Sequence, residues 1–180
     1  MVKLFWLNSL GTKEDEKSMS IVMGLDLSLC ATGLVAVDNN WRIVEQRLIT
    51  SSSKEENTPR LTKIAISIGL SVGKIKPDLI MIEGPAFGIT KTISIFQLGE
   101  LAGIIKRDLF MANYPFIIVP PTVLKKFVTG KGNSKKDLML LSVHKKFGVD
   151  FDDDNLCDAY VLARYGFQFL NPQMRQRKII

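Results

Sequence analysis

The sequence predicts a single α/β domain in which an antiparallel three-stranded meander leads into strands separated by helices, a mixed five-stranded sheet with helices packed on it. Three observations carry this expectation. From Ile21 to residue 50 the apolar residues fall in strand-length runs divided by short polar turns. Two later apolar runs, Asp78 to Glu83 and Phe116 to Val119, are equally short, and the stretches between and after them repeat apolar residues at helical spacing.

Taken in order, Ile21 to Leu29 reads as a strand, Ala31 to Asp38 as its neighbour, and Asn39-Asn40 as the turn into a third strand from Trp41 to Thr50. Thr58-Pro59 then offers an N-cap and an N1 proline ahead of Leu61, Ile64, Ile68, Val72 and Ile75, and Pro77 closes that helix. The strand from Asp78 ends on an acid, Glu83, and Gly84-Pro85 starts a loop. Leu98, Leu101, Ile105 and Leu109 place a helix over 92–113, where Gly99 and Gly103, one turn apart, are expected to let it approach the sheet. After the fifth strand, Pro120-Pro121 leads into helices over 122–128, 134–147 and 153–169, the second opened by a capping-box-like Ser134-x-x-Asp137.

Residues 1–18 show no period and carry mixed charge, so the expected division is an appendage over 1–18 and one domain over 19–180. At 180 residues with 46% hydrophobic and 23% charged residues, the chain suits an ordinary globular protein. No apolar run approaches the roughly 20 residues of a membrane span, and Leu4 to Leu7 is too short for the core of a secretion signal. A cytoplasmic protein is the expectation. Cys30 and Cys157 have no metal-binding spacing and read as small apolar residues, while the single histidine, His144, leaves zinc clusters and Ser-His-Asp chemistry without their parts.

The net charge of +6 is divided unevenly. Between Pro121 and Lys146 stand seven lysines (125, 126, 131, 135, 136, 145 and 146) against Asp137; between Asp150 and Asp158 stand five aspartates and no base. A solvated helix face beside an acidic loop has this pattern. So has a nuclease, where lysines attract a polyphosphate and carboxylates hold a metal ion. Asp26 lies within an apolar strand, Glu83 at the end of one, and Asp158 among the apolar residues of a helix. Singly, each is most simply satisfied by an amide or a lysine; three together ask for a shared explanation. If they converge, an oxygen-rich site without histidine suits Mg²⁺, with Mn²⁺ able to substitute, and such ions activate water for phosphoryl chemistry.

The motifs that carry these acids resemble those of RuvC-like Holliday junction resolvases. Residues 21–33 (IVMGLDLSLCATG) resemble the family's first motif, 81–87 (MIEGPAF) its second and 154–159 (DNLCDA) its last; 98–103 and the basic segment 121–136 resemble the stretches between. The resemblance runs from Ile21 to about Phe167. It implies a ribonuclease-H-like fold, Mg²⁺-dependent cleavage of branched DNA, above all four-way junctions, in recombination and repair, and a homodimer. It assigns metal binding to Asp26, Glu83 and Asp158, contact with the scissile region to Lys125 and Lys136, and a place near the junction centre to Phe87. Asn155 stands where the family commonly has an acid or histidine, so Asp154 and Asn155 both enter as supporting metal partners. Lys126, Lys131 and Lys135 complete the expected DNA-binding set. The stand-alone format suggests a phage gene.

Three alternatives remain at this stage. An actin-like or sugar-kinase-like ATPase also begins with a Gly-x-Asp strand and a Thr-Gly pair, here Thr32-Gly33, but generally needs two such domains and gives the basic segment no role. A branched-DNA binding protein with weak catalysis is suggested by Asn155. A related enzyme trimming RNA would share the fold.

Overall fold

In the computed structural model the described residues are 19–84 and 92–170, the side chains of Thr92 and Lys136 excepted. The elements run β1 (Ile21–Asp26), β2 (Ala31–Asp38), β3 (Ile43–Thr50), α1 (Asn57–Ile75), β4 (Leu79–Glu83), α2 (Thr92–Met111), β5 (Phe116–Val119), α3 (Pro121–Thr129), α4 (Lys136–Phe147) and α5 (Asp154–Leu170). The five strands form one sheet in the order β3-β2-β1-β4-β5. β1 pairs antiparallel with β2 and β2 with β3, whereas β4 lies parallel to β1 and β5 parallel to β4. This is the predicted mixed sheet.

Strand alternation divides the core in two. Val22, Val35, Val37, Leu79 and Met81 face α3, α4 and α5, while Met23, Leu25, Leu34, Ile80 and Ile82 face α1 and α2. α5 is the central helix of its face. It buries Tyr160 and Leu162 completely, each worth roughly 1.5–3 kcal/mol of transfer free energy. Its seating depends on glycine. A Cβ on Gly24 would lie 1.9 Å from the carbonyl oxygen of Ala159, and one on Gly33 would lie 2.1 Å from that of Asn155. Backbone therefore rests directly on backbone at both crossings.

Several local expectations differ from the structure. β1 stops at Asp26, because Ser28 and Thr32 close a ring instead: Thr32 Oγ1 donates to the Ser28 carbonyl at 2.7 Å and accepts from the Ser28 N–H at 3.1 Å. β3 begins at Ile43. The buried Asp38 carboxylate accepts from the N–H groups of Asn40 and Arg42, a tight turn that puts Trp41 at φ 68°. Burial alone would raise the Asp38 pKa, but the hydrogen bonds from Arg42 and Asn40 outweigh it and hold the group below the usual range. α1 starts one residue before Thr58, with Glu56 at the N-cap and no side-chain cap; Pro59 fits within the first turn, where its missing N–H has no intrahelical partner to lose. Ser134 does not cap α4: its hydroxyl donates to the Lys131 carbonyl at 2.8 Å, and Lys135 is the N-cap. Gly99 and Gly103 do not bring α2 to the sheet. Both face outward, with nothing within 4 Å of an added Cβ. Among the described residues no helix is long and apolar enough to cross a membrane.

Candidate active site

The same alternation that builds the core aims the acids. Val22, Gly24 and Asp26 share one face of β1, and Leu79, Met81 and Glu83 share that face of β4. Leu25 lies opposite Ile82 in the parallel register, so the next residue of each strand is an acid at the carboxyl end of the sheet. α5 crosses this face with its N-terminal turn over Gly33, the antiparallel partner of Asp26. The result is a pocket of about 290 Å³ lined by Asp26, Glu83, Asp154, Asn155 and Asp158 together with Lys125 from α3.

Its electrostatics follow from burial and crowding. Asp26 is only 8% exposed. The Glu83 carboxyl is pushed up to about 9 by burial first, then by the charge of Asp26, a hydrogen bond with it, and the charge of Asp158; Lys125 opposes the rise. Glu83 therefore keeps its proton at neutral pH and donates it to Asp26. Among the described residues no three Asp, Glu, His or Cys side chains form a ready-made metal-holding group. The donor set nevertheless fits a hard divalent cation: four carboxylates and an amide, with one lysine in the same lining. Burial and the neighbouring carboxylates disfavour the ionised form of Glu83, and a bound cation would favour it.

Of the residues expected from sequence, the structure thus brings Asp26, Glu83, Asp158, Asp154, Asn155 and Lys125 to one pocket. Lys126, Lys131 and Lys135 are exposed on α3 and the segment after it, outside the pocket wall. Lys136 opens α4, and its side chain is not among those described; Phe87 lies outside the described residues. Not every lysine of the run is free for DNA, since Lys146 donates to the Phe127 carbonyl at 2.6 Å and lies over the Phe127 ring at 4.4 Å. Asp153 accepts from the N–H groups of Asn155 and Leu156 and so serves the start of α5. It also accepts from Asn155 Nδ2 at 3.1 Å, which leaves the Asn155 carbonyl oxygen to offer elsewhere.

Sequence reasoning missed the apolar part of the wall: Pro121, Met139, Leu140 and Cys157. The available signal for Cys157 was its place three residues after Asp154, on the same side of the helix. Burial and then the charges of Asp158 and Asp154 push its thiol up to about 12, so it is protonated and neutral. Thr32-Gly33 is also accounted for. Thr32 is spent on Ser28 and Gly33 lies under Asn155, which leaves no phosphate loop there.

No protein-family model matches the chain. A crossover junction endodeoxyribonuclease RuvC from Chlorobium phaeovibrioides is 30% identical over 152 residues, covering 77% of this chain and 80% of the relative. The chain belongs to the RuvC family. A second RuvC, from Brachyspira hyodysenteriae, is 28% identical over 146 residues, 79% of this chain and 91% of its own. Among solved structures, Thermus thermophilus RuvC in complex with a Holliday junction substrate superposes with a TM-score of 0.73 at 18% identity, covering 86% of this chain and 97% of that one. The yeast mitochondrial Holliday junction resolvase gives 0.63 at 15% identity, covering 88% and 82%. These likenesses give the fold as that of the RuvC resolvases, ribonuclease-H-like.

Proposed function

We propose that this RuvC-family chain is a structure-specific endodeoxyribonuclease that hydrolyses phosphodiester bonds in four-way junctions, and that Asp26, Glu83 and Asp158 are its catalytic carboxylates. The observation that carries the reading is their convergence with Lys125 in one pocket, at the carboxyl ends of two adjacent parallel strands. These three, with Asp154 and the Asn155 amide, would hold divalent cations, Mg²⁺ or in its place Mn²⁺. When bound, such ions supply Lewis acidity toward the phosphodiester. The protein's own part is positional. Lys125 draws the scissile phosphate over the carboxylates, with Lys136 assigned to the same region. With cations bound, the ionised form of Glu83 would be favoured, its proton passing to solvent. Cys157 stays protonated, and His144 is exposed and paired with Asp150 at 2.8 Å, so the reading uses water as the nucleophile.

Outside the pocket, Lys126, Lys131 and Lys135 offer phosphate contacts to the junction arms. The opposite face of the sheet suits a second copy of the chain. There Ile66 and Leu70 of α1 and Phe96 and Phe110 of α2 are exposed, beside the outward-facing Gly99 and Gly103. An apolar surface of this kind in a RuvC-family chain favours a homodimer with two pockets.

The test is nicking of a synthetic four-way junction in Mg²⁺, with duplex, fork, RNA and metal-free arms and a parallel ATPase measurement. Junction cleavage without ATP consumption is the expected result. Binding without cleavage would favour a branched-DNA binding protein, a reading to which Asn155 lends some weight. Sedimentation of Phe96→Lys should show monomers if α2 forms the dimer surface.

A further inference from the structure

Arg60, in the first turn of α1, is only 5% exposed. Its Nε donates to the Leu29 carbonyl at 3.1 Å and to Ser51 Oγ at 3.0 Å; its Nη2 donates to the Leu29 carbonyl at 2.6 Å and reaches Cys30 Sγ at 3.5 Å. All of these partners are neutral. Among the described residues no carboxylate lies within ion-pair distance of Arg60; Nη1 donates no hydrogen bond to them and keeps access to solvent. Glu55 feels its field but is engaged by Lys63 at 3.7 Å and by the Ser52 N–H at 2.7 Å.

A buried guanidinium without a counter-charge is costly. Tying a carbonyl to the end of a strand does not require a cation, because a neutral amide would do it. The place of this charge is informative. The turn it holds, 28–31, begins two residues after Asp26, and Cys30 is exposed at its tip. The turn is rigid: Ser28 Oγ accepts from the N–H groups of Cys30 and Ala31, and the Ser51 N–H donates to the Cys30 carbonyl at 2.9 Å. α1 covers the face of the sheet opposite to α3, so Arg60 and Lys125 approach the Asp26 end of β1 from different sides.

We propose that the 28–31 turn with Arg60 beneath it is a phosphodiester contact, a second anchor for the nucleic-acid strand that enters the pocket, on the side away from Lys125. The missing counter-charge is then a backbone phosphate seated on the turn. This rests on the nuclease reading above.

The test is junction affinity against salt concentration in EDTA, so that cleavage plays no part. Arg60→Gln should weaken binding and reduce the slope of log K against log salt by ~0.7–0.9, one phosphate contact. Ser51→Ala loosens the turn but keeps the charge and should retain the wild-type slope. Cys30→Asp, at an exposed position where the new carboxylate would stand beside Arg60 as a built-in counter-charge, should weaken binding about tenfold by competing with and repelling the phosphate. A lower melting temperature for Arg60→Gln with an unchanged slope, an equal loss of slope in Ser51→Ala, or wild-type affinity in Cys30→Asp would each overturn the proposal by reducing Arg60 to a structural clip. Lys125→Ala separates this failure from that of the nuclease reading: if it too leaves the slope unchanged, nucleic-acid binding at the pocket itself is wrong.

Discussion

Glu83 hands a hydrogen bond to Asp26 across the ends of two neighbouring parallel strands, and after burial it is the Asp26 charge that most holds the proton on Glu83. Two carboxylates so close cannot both ionise without a cation between or beside them. Asp26→Asn and Glu83→Gln should therefore each lower junction cleavage by ~100-fold or more, while junction affinity in EDTA stays within a few-fold of wild type. A gel-shift and nicking assay on the same preparations separates the two effects.

The raised Glu83 pKa makes stability depend on pH in a defined direction. The unfolded group titrates near 4.5 and the folded one near 9, so between these values the native state binds the extra proton and stability falls as pH rises. Metal-free protein should melt at progressively lower temperature from pH 5 to pH 9. Glu83→Gln should flatten that decline, and Mg²⁺ should oppose it most strongly at the alkaline end. Thermal melts in EDTA and in Mg²⁺ across that range check all three.

Lys125 is the basic side chain that lines the pocket, whereas Lys131 is exposed beyond it. Lys125→Ala should reduce cleavage more than binding, through loss of charge stabilisation at the reacting phosphate. Lys131→Ala should weaken binding and cleavage in parallel. Single-turnover rates at saturating enzyme distinguish the two patterns.

Asp154 lines the pocket and Asp152 is exposed outside it. Asp154→Asn should raise the Mg²⁺ concentration for half-maximal cleavage by ~10-fold, the scale of a supporting metal partner, and Asp152→Asn should leave it unchanged. Metal titrations of both variants, together with Asn155→Asp, give the comparison.

Gly33→Ala places a methyl group 2.1 Å from the Asn155 carbonyl oxygen, a backbone atom with no rotamer to change. We expect a loss of ~1–3 kcal/mol in urea unfolding, the usual range for overpacking, and a larger loss of activity than of stability, because the displaced turn carries the acids of α5.

Much of this was legible in the chain itself. Asp26 and Glu83 stood out because acids in apolar strands are expensive, but the register that joins them was not legible, since β4 passes over β3 and β2 to pair with β1. Asp158 was legible from its helical neighbours. Gly99 and Gly103 misled, since a pair of small residues one turn apart has the same spacing whether it faces the sheet or the outside. Ser134 misled likewise, because its hydroxyl chose the Lys131 carbonyl, a contact made by the shape of the α3–α4 loop. Arg60 passed unnoticed among ordinary helix residues, as its acceptors come from Leu29 and Ser51, brought near only by the sheet.

The seating of α5 on Gly24 and Gly33 has a consequence for how this sequence can change over time. With main chain bearing on main chain, the gauge between Asp26 and the first turn of α5 is fixed by bond geometry rather than by the bulk of any side chain. Leucines, valines and methionines deeper in the same layer are then at liberty to exchange sizes, shifting the far end of the helix while its catalytic end stays pinned. Mutational tolerance along α5 should accordingly be lowest where the helix meets Gly24 and Gly33 and at Gly166, whose added Cβ would lie 2.6 Å from Val22, and highest near Leu170.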